Sequence, residues 1–102
     1  MLQKKNVEKL VKQFLYLNTC NVPDGCNFQF GVEDLLKNVW ENQTETYRHE
    51  CNGNMAQTDR ETIEEVLWDL VYTRAVTPHC RITARSQQHF FTNKMNVEKI
   101  IS

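Results

Sequence analysis

One apolar spacing occurs three times in this chain, and it limits the fold more than any other feature. Val7, Leu10, Val11, Phe14 and Leu15 fall at i, i+3, i+4, i+7 and i+8. Val32, Leu35, Leu36, Val39 and Trp40 repeat the pattern, and Ile63, Val66, Leu67, Leu70 and Val71 repeat it again. On a helix of 3.6 residues per turn, each set forms a stripe down one face. Three amphipathic helices must therefore bury their stripes against one another or against a sheet. Their ends carry local signals. Asn6 is placed to cap the first helix, and Thr58-Asp59-Arg60-Glu61 has the capping-box spacing for the third. Asn21 to Gly25 reads as a turn. Pro78 ends the third element and disfavours helical backbone at Thr77.

Between the stripes the pattern changes. Asn27-Phe28-Gln29-Phe30 alternates as a short strand does, leading into the second helix. Gln43 to Gln57 is polar and contains Asn52-Gly53-Asn54, a turn by composition. The stretch is either a long loop or an extension of the second helix followed by a loop. After Pro78 the period falls to two. Cys80, Ile82 and Ala84 alternate with Arg81, Thr83 and Arg85, and His89-Phe90-Phe91-Thr92 returns after Ser86-Gln87-Gln88, as in a hairpin. Asn96 to Ser102 is either one helical turn or a frayed end. The sum is an α+β chain with a three-helix core and a C-terminal two-stranded β-hairpin. Its expected core comprises the three stripes with Phe28, Phe30, Ile82 and Phe90.

At 102 residues, 40% hydrophobic and 25% charged, the chain has the size and composition of one packed domain, residues 1–102 with a core at about 6–95. Glu8, Lys9, Lys12 and Gln13 interrupt the apolar runs near the N-terminus. Neither a secretory signal nor a membrane span is expected, which predicts a cytoplasmic protein that does not engage membranes. Cys20, Cys26, Cys51 and Cys80 are then expected as free thiols.

The order helix, strand, helix, helix, hairpin resembles the winged helix-turn-helix family. The third helix carries the closest likeness. Ile63, Leu67 and Leu70 match three core positions of that helix in the family, and Ala75-Val76 matches the apolar pair that leads into the wing. The chain departs from the family in the long Gln43–Gln57 segment, where a tight turn is usual, and in Arg74, where glycine is common.

The resemblance implies DNA binding through the third helix, but the charges there oppose it. Asp59, Glu61, Glu64, Glu65 and Asp69 face only Arg60 and Arg74. An acidic helix entering a major groove meets like charge from two phosphate rows. Such a helix suits a protein partner with a basic surface, or a second copy of this chain, and complementary charge would speed encounter. The candidate contact residues are Glu61, Glu65, Trp68, Asp69 and Tyr72. Trp68 and Tyr72, spaced i, i+4 and directed away from the core line, serve either as interface anchors or as packing beneath the wing. The alternative is a DNA-binding regulator that uses Lys5, Lys9 and Lys12 of the first helix with Arg81, Arg85 and Lys94 around the wing.

Chemistry is not signalled. Three glycines (Gly25, Gly31 and Gly53) do not compose a phosphate loop, and no catalytic motif occurs. His49 with Cys51, His79 with Cys80, and Cys20 with Cys26 lack the paired spacing of structural zinc. Neither a cofactor nor a metal is expected, and the chain reads as a non-catalytic binding module.

Overall fold

A computed structural model describes residues 2–23, 25–78 and 89–101. The chain is α+β. Its elements run α1 (Lys4–Thr19), β1 (Phe28–Gly31), α2 (Val32–Glu41), α3 (Glu45–Glu50), α4 (Gln57–Tyr72), β2 (Thr77–Pro78), β3 (His89–Thr92) and α5 (Lys94–Ile101). The strands form one antiparallel sheet in the order β1-β3-β2. The three striped helices are α1, α2 and α4. Beyond the layout expected from sequence, α3 is a further helix, the segment allowed one helical turn is the longer α5, and the strand expected at 27–30 pairs into the sheet as β1.

The stripes are buried. Val7, Val11, Phe14 and Leu15 of α1 join Val32, Leu35, Leu36 and Val39 of α2, and Ile63, Val66, Leu67 and Leu70 of α4, in one core. The sheet closes it through Phe30 and Phe90, which face each other in the β1–β3 register and stack at 5.9 Å. Phe14 meets Phe30 edge-on at 5.7 Å. Phe28 is only half-buried. Ile82, expected in the core, lies outside the described residues, as does the strand expected at Cys80–Arg85. The described β2 starts earlier, at Thr77. There Ala75 and Val76 are buried, and the buried Thr92 hydroxyl donates to the Ala75 carbonyl at 2.6 Å.

Several helix ends differ from expectation. The first helix starts at Lys4 with Gln3 as its cap, two residues before Asn6. The Thr58 capping box does not form, because α4 begins at Gln57 with Ala56 at the cap position. Thr58 is already helical, and its carbonyl accepts from the Thr62 hydroxyl. One half of such a box forms instead on α2, where Asp34 accepts from the Gly31 N–H at 2.9 Å.

The segment after α2 is neither a plain loop nor an extension of α2. It restarts as α3, because Thr44 accepts from the Tyr47 N–H at 3.1 Å and so caps a new helix. That helix stops in a Schellman motif, with Gly53 N–H to Arg48 O, Asn52 N–H to His49 O, and positive φ at Asn52 and Gly53. The last segment is a helix of 8 residues. Val97 is buried in the core, and Ile100 packs beside it.

The end of α4 shows how Arg74 takes the glycine position. Ala75 N–H reaches Leu70 O and Arg74 N–H reaches Val71 O, the two bonds of a Schellman motif, with Arg74 at φ 64°. Ala75 and Leu70 are both buried, which supplies the apolar contact that accompanies this motif. A side chain at left-handed φ costs about 1–2 kcal/mol, part of which the freer unfolded glycine offsets. Arg74→Gly is therefore expected to raise the urea-unfolding free energy by up to about 1 kcal/mol.

Candidate functional site

The periodicity that buries one side of α4 fixes what its other side displays. Glu61, Glu65, Trp68 and Tyr72 stand at i, i+4, i+7 and i+11, opposite the Ile63–Leu67–Leu70 line, with Asp69 beside them. The two aromatics have different surroundings. Trp68 is 37% exposed, and its ring meets Phe90 edge-on at 5.4 Å, so much of it packs against the sheet. Tyr72, in the last turn of α4, is 86% exposed. Of the two aromatics, Trp68 thus takes the packing alternative in part, and Tyr72 stays open to solvent.

The acidic residues are not equivalent. Lys4 of α1 reaches Glu65 at 2.9 Å and Asp69 at 3.0 Å. The hydrogen bonds to Glu65 and Asp69 hold the Lys4 ammonium above the ordinary lysine range. Both carboxylates stay more than half exposed, so the bridge orients them more than it stabilises the fold. Glu61 is exposed and accepts from Gln57 at 3.4 Å. Arg60, the one base within α4, is drawn to Glu33 of α2 at 3.3 Å.

Asp59 does not belong to the surface at all. It is 1% exposed, and its carboxylate accepts from the Leu2 N–H at 2.8 Å and the Tyr47 hydroxyl at 2.5 Å. Desolvation first, and then the bond to Asp59, push the Tyr47 phenol above the ordinary tyrosine range, which keeps it a donor. Lys4 and Tyr47 reach α4 only through the tertiary fold. Nothing in the sequence pairs either residue with α4. The burial of Asp59 does have a signal, since positions 59, 63, 66, 67 and 70 form one stripe.

Within the alternative, basic set, three lysines share one stripe of α1. Lys5 and Lys9 are exposed on the outer face of α1. Lys12 continues their stripe at i+7, but it lines a small cleft of about 150 Å³ with Glu8, Val66, Asp69, Leu70 and Thr73. Lys94 sits at the start of α5, and Arg81 and Arg85 lie outside the described residues.

Among the described residues, no three His, Cys, Asp or Glu side chains are grouped to hold a metal. Cys20, Cys26 and Cys51 are free thiols. No described helix is long and apolar enough to cross a membrane. No family model, curated protein or solved structure matches the chain.

The division between the aromatics predicts opposite behaviour on truncation. Trp68→Ala should destabilise the protein by about 1–3 kcal/mol, because it removes a ring packed on Phe90. Tyr72→Ala should stay within about 0.5 kcal/mol of the parent. Urea unfolding of the two variants checks both.

Proposed function

We propose that this chain is a winged-helix-type recognition module without catalytic activity, which binds a protein partner through the outward face of α4. The observation that carries the reading is Tyr72. A large amphipathic ring left 86% exposed at the end of a core helix contributes little to folding, and it is the kind of side chain that anchors interfaces. Glu61 and Glu65 stand along the same stripe, and Lys4 holds Glu65 and Asp69 in place. An acidic surface around one aromatic suits a partner that presents an apolar recess ringed by Lys or Arg. A second copy of the chain would need to bring such a recess to the same face.

The order of the elements and the placing of β3 between β1 and β2 support the winged-helix reading. The segment between α2 and α4 supports a role other than groove reading. A recognition helix needs unpaired donors at its amino end, where bases are read. On α4 that end carries α3 tied to Asp59, and Arg60 bridged to Glu33. Of the lysines beside α4, Lys4 bonds two of its carboxylates, and Lys12 lines a cleft with Asp69.

The test is a quantitative pull-down from cells with three immobilised proteins: the parent, Tyr72→Ala, and Glu61→Ala/Glu65→Ala/Asp69→Ala. Each variant is first shown by circular dichroism to be folded. The reading expects a partner retained by the parent and lost by about tenfold or more with each variant, as truncated interface anchors behave. Equal retention by all three would exclude the α4 face as the contact surface.

A further inference from the structure

We infer that α3 opens as a unit separate from the rest of the fold, latched through Tyr47, whose phenol donates a hydrogen bond to the buried Asp59 carboxylate. The inference is independent of the partner reading.

Four observations carry it. First, α3 contributes no buried residue. Tyr47 itself is only half-buried. Second, the backbone hydrogen bonds of residues 44–54 close within the segment among the described residues. Arg48 N–H bonds Thr44 O, Cys51 N–H bonds Tyr47 O, Gly53 N–H bonds Arg48 O and Asn54 N–H bonds Cys51 O. The segment is thus a self-capped turn of helix whose ladder does not depend on its neighbours. Third, Tyr47 reaches out of it twice, by its hydroxyl to Asp59 and by its ring edge-on to Trp40 of α2 at 5.9 Å. Fourth, the latch residue on α4 is a carboxylate at 1% exposure.

The fourth observation makes the device two-state. A buried carboxylate needs donors, and Asp59 has two, the Leu2 N–H and the Tyr47 hydroxyl. Lifting α3 breaks the second bond, but it also lets water reach the carboxylate, so the opened state recovers much of the lost solvation. Closed and open forms can therefore lie close in free energy while the core of α1, α2, α4 and the sheet stays intact. If the phenolic hydroxyl is removed with α3 closed, Asp59 keeps one donor and no added water, and opening is then favoured. The opened form uncovers the face of Trp40 and a carboxylate in the first turn of α4.

Amide hydrogen exchange of the whole chain at increasing urea tests this. In the parent, the amides of Arg48, Cys51 and Gly53 should exchange faster than those of Leu67 and Leu70, with rates independent of urea at low concentration. The Leu67 and Leu70 rates should rise with urea, as global opening requires. Ile63→Val, a mild core truncation, should speed exchange at Leu67 and Leu70 about three- to tenfold and leave the α3 amides unchanged. Tyr47→Phe should speed the α3 amides about tenfold or more, the scale of a lost hydrogen bond to a charged group. Two results would overturn the inference. One is α3 amides that follow Leu67 and Leu70 in urea or in Ile63→Val. The other is α3 amides that do not respond to Tyr47→Phe.

Discussion

The apolar face of α1 is the surface against which the other helices are built. Val7, Val11, Phe14 and Leu15 are shared by α2, α4 and α5. With that face fixed, the position of α4 follows. The contacts Leu2 to Asp59, Lys4 to Glu65 and Asp69, and Lys12 in the cleft beside Asp69 and Thr73 join the amino-terminal segment and α1 to α4. This places the amino-terminal segment on the buried carboxylate of α4, and Lys4 and Lys12 along its acidic flank. Phe14 extends the same face to the sheet through its edge contact with Phe30.

On α4, one helix serves two purposes because its two sides are separated by half a turn. Its inner stripe completes the core. Its outer stripe carries acids and aromatics, and the sheet claims part of it by drawing Trp68 onto Phe90. What remains outward is Tyr72 with oriented carboxylates. The charge pattern is the basis of the proposed partner class. Net formal charge is −1 for the chain, but α4 concentrates acids and its single base is directed to Glu33. Phosphate backbones gain nothing from such a helix, whereas a basic protein surface does.

Much of this was legible in the sequence, for a specific reason. The stripes of α1, α2 and α4 are dense enough that the 3.6-residue period is unambiguous, and Phe28–Phe30 alternates cleanly into β1. The last helix was not legible, because Val97 and Ile100 are too few apolar residues to set a period, and only packing against α1 makes them core. The break before α3 depends on one Thr44 hydroxyl competing with the continuation of α2. The start of α4 at Gln57 defeats the capping-box pattern at Thr58, since a segment that positions Asp59 for two donors also positions the helix start. Asp59 shows the limit of charge counting. Read as one of five surface acids, it is instead a structural acceptor, and its place on the inner stripe was the available clue. Trp68 and Tyr72 are equivalent in spacing, and tertiary contact with the sheet separates them.

The central claim is that this frame recognises protein and not nucleic acid. The most direct measurement is binding of the whole chain to a mixed-sequence DNA duplex, followed by fluorescence anisotropy from low ionic strength upward. The account predicts no saturable binding even at the lowest salt. Tight binding that weakens steeply as salt rises would show phosphate contacts and contradict it, and Lys5, Lys9 and Lys12 with Arg81, Arg85 and Lys94 would then become the contact surface.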